Sequence, residues 1–106
     1  MTNLLGLDIG TTGVRCVAID ERGDLVADAS EEYPLHTPQP GWSEQRPEDW
    51  WEASQRVIAN VAARIGRDLS GIGLAGQMHG AVFLDQKDAV IRPALLWNDQ
   101  RTEAQC

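Results

Sequence analysis

The chain has 106 residues, 9 of them Lys or Arg and 16 Asp or Glu, for a formal charge of −7. This length holds one small domain, and the negative balance, with no basic cluster against it, excludes binders of nucleic acid or anionic lipid. Hydrophobic residues make up 42% of the chain, which supports a packed core, while no apolar run approaches the roughly 18 residues of a membrane span.

Residues 3–9 are mostly aliphatic and stop at Gly10-Thr11-Thr12-Gly13. Residues 14–20 then alternate Val14, Cys16 and Ala18 against Arg15, Val17 and Ile19, which predicts a hairpin with a glycine-bounded turn. A second turn at 20–24 returns the chain as a third strand over 25–33. Four prolines (Pro34, Pro38, Pro40, Pro47) and Gly41 then predict a long loop through which neither helix nor ladder runs. Pro47 suits a first helical turn and Glu48 and Asp49 favour its positive end. Trp50, Ser54, Val57, Ile58, Val61 and Ile65 recur at helical spacing up to Gly66. The short apolar run at 70–76 predicts a strand buried on both faces and parallel to the first. Residues 81–84 and 89–91, around a turn with Asp85 and Asp88, predict a small hairpin, and Asn98 or Asp99 is placed to cap a further helix. The order is β-β-β-α-β plus a small hairpin, an α/β arrangement with one covered face.

Residues 1–10 lack the basic and apolar regions of a signal peptide, so the chain reads as cytoplasmic. Cys16 and Cys106 have neither metal-ligand spacing nor a disulfide framework and read as free thiols. His36 reads as a surface residue and Trp50 as core, with Trp51 flanking it or covering the preceding loop.

Three segments carry candidate chemistry. Asp8 ends the first strand just before the Gly10–Gly13 turn, whose N–H groups and Thr hydroxyls can face phosphate oxygens while Asp8 holds hydrated Mg²⁺; Arg15 adds positive charge. The same residues suit a tight hairpin in which Asp8 caps its own turn. The Gly76–Gly80 segment leaves the carboxyl end of the parallel strand, where ligands of open α/β sheets bind, and His79 there is either a ligand to a polar substrate or a solvated loop residue. Trp97, Asn98, Asp99 and Arg101 set an indole beside polar groups, which suits a sugar wall or equally a core Trp and a helix cap. The turn is unlike a P-loop, having no GK[ST] and joining two strands.

LGLDIGTTGVRCVAID resembles the first phosphate motif of the actin-like sugar kinases of the FGGY carbohydrate kinase family. GWSEQRPEDWW, GLAGQMHGAVFLD and RPALLWNDQRT resemble the N-terminal region of members acting on D-xylulose, and the similarity runs from Leu4 to Thr102. The resemblance implies a ribonuclease-H-like (actin-like ATPase) fold of class α/β. The chain would be the N-terminal part of the first domain, and the second domain is absent from it. It implies ATP and Mg²⁺ as cofactors, D-xylulose as the sugar phosphorylated to D-xylulose 5-phosphate, and a cytoplasmic homodimer. Carried over residue by residue, Asp8 serves the metal, and Asp8, Gly10, Thr11, Thr12, Gly13 and Arg15 serve the nucleotide. Gln77, Met78, His79, Trp97, Asn98, Asp99 and Arg101 serve the sugar. The general-base Asp is expected beyond Cys106, so no catalytic residue falls within the chain, which is expected to be inactive alone. The alternatives are a relative acting on ribulose, gluconate or glycerol, and a non-catalytic sugar-binding module.

Overall fold

The computed structural model describes residues 2–103. Its elements are β1 (Asn3–Ile9), β2 (Gly13–Ile19), β3 (Leu25–Glu32), β4 (Glu44–Gln45), α1 (Pro47–Ile65), β5 (Leu69–Gly76) and β6 (Ala94–Leu95). The first three strands form the expected antiparallel meander, and β5 lies parallel to β1, giving the order β3-β2-β1-β5. Two antiparallel strands need only a tight turn between them, whereas the return to a parallel position beside β1 requires the long crossover that α1 supplies.

Strand alternation decides which face is buried. Leu5 and Leu7 of β1 and Val14, Cys16 and Ala18 of β2 point to one side, where Ala53, Val57, Val61 and Ile65 of α1 close over them. Val57 and Val61 are essentially solvent-free, and each such burial is worth on the order of 1.5–3 kcal/mol. The opposite face carries Gly6 across from Val17 and Asp8 across from Arg15, so the strand that builds the core also projects the Asp8 carboxylate away from it. Helix α1 starts with Pro47 in its first turn beside Glu48 and Asp49, and stops at Gly66, whose φ of 65° lets its N–H reach Ala62 O. A residue with a side chain is strained there. Cys16 is fully buried, and burial pushes its thiol pKa up, which makes it inert. Cys106 lies outside the described residues.

Three expectations are corrected. The strand at 70–76 is not buried on both faces. Register places Ile72 with Leu5 and Leu74 with Leu7, on the core face, yet they are 61% and 73% exposed. The reason is that α1 lies mainly over β2 and β3, and β5 is the outer strand at the opposite edge of the sheet from β3. The proline loop does contain a ladder: Glu44 and Gln45 pair with Leu95 and Ala94, extended by a His36–Glu44 bridge. It begins after the last proline that would block it, Pro40, and ends two residues before Pro47. The small hairpin expected at 81–84 and 89–91 is present in short form: an antiparallel Leu84–Val90 bridge, with Asp85 N donating to Ala89 O and Ile91 N to Phe83 O. Trp51 is 65% exposed and Trp50 alone packs against the core. Of the helix expected after Asn98, the described residues 101–103 form a turn, and residues 104–106 lie outside the described residues. Among the described residues no helix is long and apolar enough to cross a membrane.

Candidate functional site

The turn between β1 and β2 is held with one polarity. The carbonyl of Gly10 accepts from the Tyr33 hydroxyl, that of Thr11 from Gln45 Nε2, that of Thr12 from Tyr33 N, and that of Gly13 from Gly10 N, with the single Tyr33 hydroxyl proton also within reach of Gly13 O at 3.1 Å. All four carbonyl oxygens are thus satisfied from within the protein. The backbone N–H groups of Thr11 and Thr12 donate to no acceptor among the described residues. A loop whose carbonyls turn inward and whose amides stay unspent has the polarity of an anion cradle. Gly13 is required by space as well: a Cβ there would stand 2.4 Å from Glu31 O. Tyr33, which braces the turn from the core side, has its phenol pushed up to about 12, first by burial and then by the charge of Asp8. Asp8 itself accepts no hydrogen bond among the described residues and lines the groove of about 360 Å³ beside Gly10, Thr12, Gly13 and Arg15. Arg15 is shared with Asp28 at 3.1 Å.

A chain of side-chain hydrogen bonds ties this turn to the segment after β5. Gln45, at the end of β4, donates from Nε2 to Thr11 O at 2.5 Å. Its Oε1 accepts from Trp50 Nε1 at 2.9 Å and from Gln77 Nε2 at 3.2 Å. Gln77 Oε1 in turn accepts from the Thr11 hydroxyl, and that hydroxyl accepts from Trp97 Nε1, both at 3.2 Å. The Gln77 backbone N–H donates to Ile9 O, extending the β1–β5 pairing by one step. The Thr11 proton is therefore committed to Gln77, and Thr12, exposed and without a side-chain partner, is the hydroxyl that faces solvent at the turn.

A second cluster pins the proline loop to the segment after β6. Asp99 takes Ser43 N at 2.7 Å and a bidentate grip from Arg101 at 2.7–3.0 Å. The Arg101 guanidinium beside it, then the backbone N–H groups of Arg101 and Ser43, hold its carboxyl down to about 2. Arg101 also stacks 3.7 Å over the Trp42 ring and pairs with Glu44 at 2.7 Å, while Arg92 reaches Glu44 at 3.1 Å. Because Glu44 and Gln45 point to opposite sides of β4, this two-residue strand links the clamp to the turn network.

The structure thus gathers Asp8, Gly10, Thr12, Gly13 and Arg15 at one groove, and joins Thr11, Gln77 and Trp97 by hydrogen bonds. Met78 and His79 stand exposed just beyond Gln77, His79 at a left-handed φ of 59°. Asn98 is exposed, whereas Asp99 and Arg101 spend their polar atoms on Ser43, Glu44 and Trp42. Gln45, Tyr33 and Glu44 are functional supports that pattern reading missed. A buried glutamine in a proline-rich segment has no periodicity to reveal it, and its only sequence signal is its place in GWSEQRPEDWW.

An open mixed sheet of order β3-β2-β1-β5, with an N–H-rich turn at the end of β1 beside a carboxylate, is the front of an actin-like α/β fold. Residues 3–106 match the N-terminal domain of the FGGY family of carbohydrate kinases, and the chain belongs to that family. It is 43% identical over 103 residues to xylulose kinase from Escherichia coli (strain K12), covering 96% of this chain and 21% of that protein. A crystal structure described as a xyloylose kinase from Brucella ovis superposes with a TM-score of 0.91 at 44% identity, over 97% of this chain and 22% of that one. Gluconate kinase from Lactobacillus acidophilus superposes with a TM-score of 0.93 at 28% identity, over 98% and 21%. The chain spans about one fifth of the length of the relatives it matches.

Proposed function

We propose that this chain is the front portion of an ATP-dependent kinase that phosphorylates D-xylulose to D-xylulose 5-phosphate. The observation that carries the reading is the turn 10–13, with four carbonyls satisfied inward, next to Asp8; among the described residues the Thr11 and Thr12 amides have no acceptor and Asp8 accepts no hydrogen bond. In this reading the turn receives the transferred phosphate. Thr12 adds a hydroxyl donor, and Gln77, Met78 and His79 present the sugar from the end of β5, with Trp97 against its C–H face.

Mg²⁺ fits this site. Among the described residues no three His, Cys, Asp or Glu converge into a cage; the groove that Asp8 lines also holds Glu31 and Glu32, and one or two carboxylates are what Mg²⁺ uses when phosphates and water complete its shell. Asp8 would hold it, and the ion would neutralise charge on the phosphoryl oxygens. Phosphoryl transfer depends on positioning and charge stabilisation across a cleft. The residues here supply one wall, and the base that takes the sugar's proton belongs to the remainder of the longer kinase. Asp99 and Arg101 then serve the sugar site indirectly, by fixing the loop that carries Trp97.

The likeness to gluconate kinase supports a second reading, a family member with another sugar. An ADP-coupled assay of the full-length protein against D-xylulose, D-ribulose, gluconate and glycerol separates them. The expected result is a kcat/KM for D-xylulose at least tenfold above the others; preference for another sugar overturns the substrate, and no turnover with any overturns the enzyme.

A further inference from the structure

We propose that Gln45 is a positioning residue of this site, setting the spacing between the phosphate turn and the Gln77–His79 segment by acting through Thr11 and Gln77. The inference rests on the kinase reading above and deepens it. Gln45 is fully buried, 0% exposed, in a two-residue strand. Its carboxamide touches three elements: the turn at Thr11, the first turn of α1 at Trp50 and the exit of β5 at Gln77.

The donor sense of this network has one solution. An indole N–H only donates, so Trp50 requires Gln45 to present Oε1, which leaves Nε2 for the Thr11 carbonyl. The second lone pair of Gln45 Oε1 then takes Gln77 Nε2 and turns Gln77 Oε1 towards the Thr11 hydroxyl. At the far end Trp97, another obligate donor, occupies the acceptor side of that hydroxyl. Two indoles thus fix the orientation of two amides and a hydroxyl, and Gln45 joins the backbone of the turn to the side chain of Gln77 alongside the direct Thr11–Gln77 bond. Replacing its carboxamide leaves the part-buried Thr11 O and Trp50 Nε1 without these partners and holds the turn to the sugar segment only through the Thr11 hydroxyl, by its bonds with Gln77 and Trp97.

The test uses the full-length protein, with kcat, KM, sugar binding by calorimetry in the absence of nucleotide, and thermal melting. Gln45→Leu keeps the volume and removes the hydrogen bonds; a displacement of about 1 Å at the reacting groups costs on the order of 100-fold, so kcat/KM for D-xylulose is expected to fall 10- to 100-fold. Gln45→Glu is isosteric. Ionised, it cannot donate to Thr11 O; protonated, it restores both the donor and the acceptor. Its kcat/KM relative to wild type is therefore expected to recover as pH falls from 8 to 5.5. In a Gln77→Leu background, Gln45→Leu should add less than twofold, because its effect runs through Gln77.

Wild-type sugar affinity and kcat/KM in Gln45→Leu, with only the melt lowered, overturn the proposal, as does a flat relative pH profile for Gln45→Glu. Should Gln45→Leu fail to fold, the Gln45→Glu profile decides. A wild-type protein that turns over no sugar overturns the kinase reading instead, so the two failures are distinguishable.

Discussion

Trp97 and Thr11 lie 86 residues apart in sequence, yet the indole Nε1 of one donates to the hydroxyl of the other at 3.2 Å. The bond sits where β1 turns into β2, opposite the point at which Gln77 leaves β5, so the two candidate sugar segments meet at a residue of the phosphate turn. In the proposed kinase, this contact couples the sugar-facing and phosphate-facing segments mechanically. Neither segment can shift by an ångström without disturbing a hydrogen bond to the other.

The turn has no tolerance at Gly13. With Glu31 O only 2.4 Å from the position of a Cβ, Gly13→Ala must push β2 from β3 or tilt the turn. Overpacking against backbone of this kind costs about 1–3 kcal/mol. We expect a lowered melting temperature and a reduced kcat together; an unchanged melt in calorimetry would show that the strands yield freely at this point.

Asp8 and His79 should separate by kinetics in the full-length protein. Asp8→Asn leaves a side chain of the same shape on the solvent face of β1, so sugar affinity without nucleotide should hardly change while kcat falls at least 100-fold. His79→Ala removes a donor or acceptor from the sugar side, raising the KM for D-xylulose and lowering kcat/KM about tenfold or more. Equal loss of sugar binding and melting temperature in Asp8→Asn would make Asp8 structural. Unchanged kinetics in His79→Ala would leave that residue a plain loop position.

Asp99 gives the clamp a pH dependence with a definite sign. Its carboxyl sits at about 2 in the folded protein, below its ordinary value of 3.8. The stabilisation is therefore fully present above about pH 4 and is lost as pH falls through 4 towards 2. Asp99→Asn removes the charge that grips Arg101. It should be less stable than wild type at pH 7 in urea unfolding, with the gap closing as pH approaches 2. A gap of constant size down to that pH would show that Arg101 does not depend on the ionised form.

The core of the meander was legible because alternation with period 2 is written directly in Leu5, Leu7, Val14, Cys16 and Ala18, and the turn because glycines and hydroxyls follow an apolar strand. Two things were not. The burial of β5 was read from Ile72 and Leu74 being apolar, but composition records that a residue needs cover and not whether cover lies within reach. The roles of Asp99 and Arg101 were read from their proximity to Trp97 in sequence. Their side chains instead turn to Trp42 and Glu44, because β4 and β6 pair, and a ladder of two residues is too short to leave a pattern.

The uncovered outer strand leads to a prediction for residues 1–106 expressed alone. Ile72 and Leu74 continue the core face past the reach of α1, and the far edge of β5 offers unpaired N–H and C=O groups to another strand. Exposed apolar edges of this kind template intermolecular pairing. A domain of about 100 residues has a stability margin of only about 5–15 kcal/mol, so one missing covering layer is a large share of it. We expect the isolated chain to dimerise, aggregate or stay partly molten, with no ATP-dependent phosphorylation of D-xylulose. Sedimentation, near-ultraviolet circular dichroism and an ADP-coupled assay test this together. Leu74→Lys places a charge on the exposed position and should shift the chain towards monomer without restoring turnover. A cooperative, monomeric melt of the unaltered chain would show that α1 alone covers enough of the sheet, and measurable turnover would show that one wall of the cleft suffices for the reaction.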